Sequence, residues 1–135
     1  MTLKATLSVI GLMAVVAAPA QAQDASEGAA LFERNCASCH GAEARGNGPL
    51  APVLIIQPTD LTRLAAKNDG VFPMTRVVAR IDGRDTLVSH GSPMPVFGPY
   101  FDGDRHIGLK TESGQPVMVT EQVADVVAWL QSIQE

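Results

Sequence analysis

The segment Cys36-Ala37-Ser38-Cys39-His40 carries the strongest structural signal in this chain. Two cysteines three residues apart, followed directly by a histidine, are the attachment signature of a c-type haem. On a helix, positions i and i+3 share a face, so both thiols could reach the two vinyl groups of one porphyrin. His40 would then lie under the ring and offer an imidazole nitrogen to the iron. The segment therefore predicts one haem bound covalently through Cys36 and Cys39, with His40 as its proximal ligand.

Three other interpretations of the same residues are weaker. A structural zinc site normally needs four Cys or His ligands, whereas the chain has two cysteines and three histidines, of which only His40 is close to the cysteines. A thioredoxin-like redox pair would follow a strand in a βαβ unit, and that pattern is missing around Cys36. A disulfide between Cys36 and Cys39 stays open for an exported protein, but it leaves His40 without a role.

The N-terminal residues have the pattern of a secretory signal peptide. Lys4 precedes a mainly apolar run over residues 5–18, and Ala20-Gln21-Ala22 matches an A-x-A cleavage site. The run is shorter than the roughly 20 apolar residues that a membrane span needs. We therefore predict that residues 1–22 are removed, that residues 23–135 form one domain, and that this domain is periplasmic. An uncleaved anchor is the alternative, and without it no stable membrane span is expected.

Charge excludes one class of partner. The formal net charge is −4, and removal of the signal takes away Lys4 but no acid. Binding to a phosphate backbone needs a basic surface, so no nucleic-acid partner is expected.

The rest of the chain is predicted to be mostly short helices and loops. Asp24-Ala25-Ser26-Glu27 has the form of a capping box, and Thr59, Pro73 and Thr120 are placed to begin further helices. The last helix has a clear apolar stripe, flanked by Trp129. Residues 97–114 are predicted to be a loop because glycine–proline and aspartate–glycine turns interrupt them. The helices are predicted over residues 25–37, 60–67, 73–81 and 121–134.

A distal ligand for the iron is predicted in Ser92-Pro93-Met94-Pro95. A methionine between two prolines is held on a rigid, extended loop, so Met94 could present its thioether with little loss of conformational freedom. Met74 and Met118 compete with it, but both are expected to fill the core, which is the common role of methionine. His90 and His106 are further alternatives, although either would leave the proline frame unused.

The motif at residues 36–40 with the helix before it, the Met94 loop and the last helix with Trp129 together resemble a class I mono-haem c-type cytochrome, the small bacterial periplasmic kind. The resemblance implies an all-α cytochrome c fold, with short helices and loops wrapped around one covalently bound haem c and with the N- and C-terminal helices packed together. It implies that Gly28 and Phe32 meet the last helix, and that Pro49 or Pro52 offers a carbonyl to the His40 ring.

Ligation by His40 and Met94 would fill both axial positions of the iron and leave no open position for a substrate. The expected function is therefore one-electron transfer between periplasmic redox partners, either as a free carrier or as the cytochrome component of a dehydrogenase or oxidase complex, and not catalysis by this chain itself. A haem enzyme or gas sensor with an open sixth position is the alternative.

Overall fold

The computed structural model describes residues 23–85 and 94–135. The predicted signal peptide, residues 1–22, lies outside the described residues, and so does His90. Four α-helices and one antiparallel pair of strands make up the regular structure of the described part. The helices are α1 (Ala25–Asn35), α2 (Ala37–His40), α3 (Met74–Asp82) and α4 (Glu121–Ser132), and the strands are β1 (His106–Lys110) and β2 (Pro116–Thr120).

Helix α1 begins where the capping residues predicted it. The Asp24 Oδ1 atom accepts hydrogen bonds from the backbone N–H groups of Ser26 and Glu27, at 2.9 and 3.2 Å. The capping box is incomplete, because the Asp24 backbone N–H donates to the Asp125 carboxylate at 2.7 Å and not to Glu27. The Glu27 carboxylate instead pairs with Arg34 at 3.3 Å. The helix ends at Asn35, two residues earlier than predicted, and Cys36 separates it from the single turn of α2.

Helices α1 and α4 pack against each other at very close range, as predicted. A Cβ atom at Gly28 would overlap the carbonyl oxygen of Asp125, so only glycine fits at this crossing. The rings of Phe32 and Trp129 lie with their centroids 4.4 Å apart. The buried core is built around this contact and includes the apolar stripe of α4, of which Val123, Val126, Val127 and Leu130 are buried.

The middle of the chain is less regular than predicted. The helix expected over 60–67 is instead two short 3₁₀ helices, Leu61–Arg63 and Ala66–Asn68, and Asp60 rather than Thr59 caps the first of them. The helix expected over 73–81 is present as α3, which ends at Asp82 and is followed by the capping residue Gly83, with a φ of 87°. Further 3₁₀ turns lie at Ala51–Val53 and Gly98–Tyr100.

A β-hairpin begins within the loop predicted over residues 97–114 and ends directly before the last helix. Strands β1 and β2 pair from His106 opposite Thr120 to Lys110 opposite Pro116. Leu109 and Val119 point into the core, while Met118 on the outer face is 50% exposed. The expectation that Met118 fills the core was therefore wrong, because the strand's two-residue period turns it outward. The helical architecture holds elsewhere, and the hairpin is an addition to it.

The hairpin is tied to both ends of α3. At the turn between the strands, the Glu112 carboxylate accepts a hydrogen bond of 2.7 Å from the Thr75 hydroxyl and lies 3.3 Å from the Thr75 backbone nitrogen. At the other end, the Arg84 guanidinium donates to the backbone carbonyl of Met118. The carboxylate supplies a cap that α3 lacks locally, since Pro73 provides no side-chain hydrogen bond. The hairpin thus holds α3 in place against α4.

Among the described residues, no helix is both long enough and apolar enough to cross a membrane.

Candidate haem site

A pocket of about 720 Å³ brings together the residues that the sequence singled out. Cys36, Cys39 and His40 line it, and so does Met94, although 54 positions separate that methionine from His40. Most of the remaining lining is apolar and comes from the middle loops, α3 and α4. These apolar residues are Leu50, Leu54, Ile56, Pro58, Leu61, Leu64, Val77, Ile81, Pro95, Phe97 and Leu130.

The turn of α2 sets the spacing of the two thiols. The backbone N–H groups of Cys39 and His40 both donate to the Cys36 carbonyl, at 3.1 and 2.9 Å. This helical turn leaves Cys36 and Cys39 on the pocket side, where both are half-buried free thiols rather than a disulfide. Burial, with a smaller contribution from the neighbouring thiol Cys39, raises the pKa of Cys36 to about 11. The Cys36 thiol is therefore protonated at neutral pH in its apolar surroundings.

The imidazole of His40 is oriented by a backbone carbonyl. Its Nδ1 atom lies 3.3 Å from the Thr59 carbonyl oxygen, and because a carbonyl only accepts, Nδ1 carries the proton and Nε2 keeps its lone pair. The acceptor is thus Thr59, and not Pro49 or Pro52 as the resemblance implied. Burial lowers the pKa of His40, which favours the neutral ring.

Close packing at Gly46 brings the Thr59 carbonyl near the His40 ring. Its backbone N–H donates to the His40 carbonyl at 2.7 Å, its φ is 81°, and a Cβ at this position would overlap the carbonyl oxygen of Pro58. The chain before Thr59 is therefore packed directly on the loop that follows His40. A proline-based prediction missed this because the contact joins residues that are far apart in the sequence.

The Met94 segment is fixed to the end of α3. The Phe97 N–H donates to the Ile81 carbonyl at 2.9 Å, and a Cβ at Gly98 would overlap the carbonyl oxygen of Asp82. Met94 itself is half-buried and lines the pocket. The segment thus reaches the pocket through backbone contacts with α3.

The competing candidates are elsewhere in the described structure. Met74 is 7% exposed and belongs to the core, as predicted, and Met118 is on the outer face of β2. His106 is exposed on β1. No cluster of three or more His, Cys, Asp or Glu side chains suited to a metal ion occurs in residues 23–85 and 94–135.

Three cations in the pocket lining were missed by the sequence analysis. They are Lys67, which ends up beside the pocket in the 3₁₀ helix Ala66–Asn68, and Arg76 and Arg80 on α3. The spacing of Arg76 and Arg80 next to Val77 and Ile81 is a helical pattern that could have indicated their position. It was overlooked because a charged residue beside an apolar stripe usually faces solvent.

The donor set and the pocket suit a haem. Two thiols three residues apart, an imidazole with a free Nε2 and a thioether surround an apolar space large enough for a flat macrocycle. A family model for cytochrome c matches residues 25–134. The chain belongs to the cytochrome c family. Proteins of this family bind covalently attached haem c, and with its single attachment motif this cytochrome is a mono-haem protein.

One curated relative of this cytochrome is cytochrome c6 from Picosynechococcus sp. It is 35% identical over 94 residues, which cover 68% of this chain and 73% of the relative. No solved structure gave a significant match.

Proposed function

We propose that this cytochrome is a periplasmic one-electron carrier whose haem c is bound through Cys36 and Cys39 and ligated by His40 and Met94. The observation that supports it most directly is that all four residues line the same apolar pocket. The haem supplies an iron that alternates between the ferric and ferrous states, and the chain's own residues set how easily it does so.

The proposed ligands have distinct effects. The Thr59 carbonyl holds the His40 ring so that Nε2 is available as a ligand. The soft thioether of Met94 favours the ferrous state and raises the reduction potential. Apolar walls act in the same direction, since the ferric state carries one more positive charge and a low dielectric disfavours it.

Electron transfer is favoured over substrate chemistry because Met94 is in the pocket lining. With His40 and Met94 both bound, the iron would have no open site for a small molecule. The redox partners would exchange electrons with this chain as a free carrier or as the cytochrome component of an oxidoreductase complex. Similarity to a cytochrome c6 supports the role of a carrier.

Substitution of Met94 tests the ligation. We expect Met94→Ala to lose the far-red sulfur-to-iron charge-transfer band of the ferric protein, to have a lower reduction potential and to bind carbon monoxide rapidly once reduced. Met118→Ala is the matched control, since Met118 is on the outer face of β2 and not in the pocket lining. Rapid carbon monoxide binding by the unsubstituted ferrous protein would contradict this proposal and favour an enzyme or gas sensor.

The attachment and the export can be tested together. The proposed signal, residues 1–22, predicts that protein isolated from the periplasm begins at Gln23, which N-terminal sequencing would show. Covalent haem should stay with the chain in denaturing gel electrophoresis and be lost when both Cys36 and Cys39 are changed to alanine. A colourless periplasmic product that begins at Gln23, made with an intact maturation system, would contradict the attachment.

A further inference from the structure

The side-chain amide of Gln134, just after helix α4, is bound entirely to backbone groups. Its Nε2 atom donates to the carbonyls of Leu61 and Leu130, at 2.8 and 2.7 Å. Its Oε1 atom accepts from the Ala65 N–H at 2.9 Å. Both donors and the acceptor of this partly buried amide are therefore engaged, two of them by a segment that is distant in the sequence. The amide holds that segment at a fixed place beside α4.

The next residue, Glu135, is tied to the same segment. Its backbone N–H donates to the Thr62 carbonyl at 2.9 Å. Its carboxylate accepts two hydrogen bonds from the guanidinium of Arg45, which lies in the loop that follows His40. The ion pair is exposed on both sides and screened by water, so the Gln134 amide is the stronger of the two connections.

Leu61 is held from two directions. Its N–H donates to the carbonyl of the fully buried Ala44 at 2.8 Å, and its own carbonyl accepts from Gln134. Thr59 is only two residues before Leu61, and its carbonyl is the acceptor for the His40 ring. Because two residues of chain have a short reach, the bonds to Leu61 limit how far the Thr59 carbonyl can move.

The hydrogen bond at His40 is long enough to respond to a small displacement. Its Nδ1 atom and the Thr59 oxygen are 3.3 Å apart, just beyond the usual range of about 2.7–3.2 Å for an N–H···O bond. Packing of Gly46 on Pro58 holds the chain on one side of Thr59, and Gln134 holds it on the other, through Leu61. Loss of either restraint should therefore weaken the bond to the ring.

We propose that Gln134 is a positioning residue that keeps the Thr59 carbonyl within hydrogen-bonding reach of His40. This rests on the proposed function, in which the Nε2 atom of His40 binds the iron. A hydrogen bond from Nδ1 makes the imidazole a stronger donor to the metal, which favours the ferric state. Gln134 should therefore lower the reduction potential, although it is not in the pocket lining.

The test compares the holoproteins of wild type, Gln134→Leu and Gln131→Leu. Leucine removes the amide without a change in net charge. Gln131 is the matched control because it is exposed on α4, and its side chain makes no hydrogen bond with any residue that the structure describes. A second pair, Gln134→Glu and Gln131→Glu, removes the two donors while keeping an acceptor for Ala65. Its two members make the same change in charge.

Three quantities are measured on each protein, after haem staining of a denaturing gel has shown that it carries covalent haem. Nuclear magnetic resonance of the ferrous protein gives the exchange rate and the nitrogen chemical shift of the His40 Nδ1–H group. Spectroelectrochemical titration gives the midpoint potential. Thermal unfolding gives the stability, which a purely structural role would also change.

We expect the ring N–H of Gln134→Leu to exchange about tenfold faster than in the wild type, the effect of losing one hydrogen bond. Its nitrogen resonance should shift toward that of a ring without a hydrogen bond, and its midpoint potential should rise. Gln134→Glu should differ from Gln131→Glu in the same directions. Both Gln131 variants should match the wild type in the exchange rate of the ring N–H.

Two results would overturn the inference and leave the proposed function standing. One is a Gln134→Leu protein that loses stability but keeps the wild-type exchange rate and potential, since Gln134 would then only support the fold. The other is an equal change in the Gln131 variants. If Gln134→Leu gives no folded holoprotein, the two glutamate variants decide by the same criteria. A wild-type protein without covalent haem would refute the proposed function, and this inference with it.

Discussion

Substitution of Gly28 by alanine should destabilise the protein by disrupting the crossing of α1 and α4. An added Cβ would lie 2.5 Å from the carbonyl carbon of Asp125 and 3.0 Å from the nitrogen of Val126, and it would overlap the Asp125 oxygen. All three are backbone atoms, so no side-chain rotation relieves the clash and the two helices must move apart. The separation would also weaken the contact between Phe32 and Trp129, whose ring centroids are 4.4 Å apart.

The size of the effect follows from two opposing terms. Alanine in place of glycine within a helix gains up to about 1 kcal/mol in propensity. Overpacking in a tightly packed core costs typically 1–3 kcal/mol, and a rigid backbone contact puts Gly28 near or above about 3 kcal/mol. The net loss is then about 2 kcal/mol, which for a domain of this size lowers the melting temperature by about 8 °C.

Thermal unfolding of the holoprotein, followed by far-ultraviolet circular dichroism, measures this loss. Gly108→Ala is the matched control, because its Cβ would meet only side-chain atoms, at 3.4 Å from the Met118 sulfur and 3.7 Å from Pro116, and its φ is not positive. That variant should melt at or slightly above the wild-type temperature, since alanine restricts the unfolded chain. A Gly28→Ala protein that melts at or above the wild-type temperature would refute the reasoning about the crossing.

Two further predictions concern buried and capping carboxylates. Burial raises the pKa of Asp125, whose Oδ1 atom accepts a hydrogen bond of 2.7 Å from the Asp24 N–H. The folded state then binds the proton of Asp125 more tightly than the unfolded state does. The free energy of unfolding should therefore fall as the pH rises from 3.8, the ordinary pKa of an aspartate, through the raised pKa. Above that raised pKa this contribution should no longer change with pH. Asp125→Asn should flatten that part of a plot of urea midpoint against pH, and an unchanged slope would contradict the assignment. Glu112→Ala should cost about 1 kcal/mol in urea unfolding at neutral pH because α3 loses its cap. Hydrogen bonding from Thr75 lowers the pKa of Glu112, so this cost should disappear as the pH falls through that lowered pKa, and a cost that persists in acid would exclude the cap as its cause.

The attachment motif depends on other parts of the chain to hold it in position. The thiols are presented by one turn, α2, which is too short to be stable as an isolated helix. Its position depends on α1 and on the loop at Gly46, which bonds to the His40 carbonyl at 2.7 Å. Changes at Gly46 should therefore affect the site although this residue is not in the pocket lining.

Sequence alone determined the features that depend on local spacing. Cys36, Cys39 and His40 are within five consecutive positions, so their joint presence at one pocket follows from a single helical turn. The capping of α1 by Asp24, the stop of α3 at Gly83 and the apolar stripe of α4 are likewise local, because each depends on residues within one or two turns. A role for Met94 as the distal ligand was predicted from the two prolines beside it. The structure places this residue in the pocket that Cys36, Cys39 and His40 also line.

Tertiary structure alone decided the features that join distant residues. Thr59 rather than a proline bonds to His40, because the packing of Gly46 on Pro58 brings that carbonyl near the ring. The hairpin was missed since its strands are only five residues each and become stable through pairing and burial on α4. Arg76 lies in the pocket lining because of the way α3 is oriented, which is set by its contacts with the hairpin and α4. The spacing of residues along the chain determines which side chains one helical turn presents together. Long-range packing determines which other residues that turn contacts.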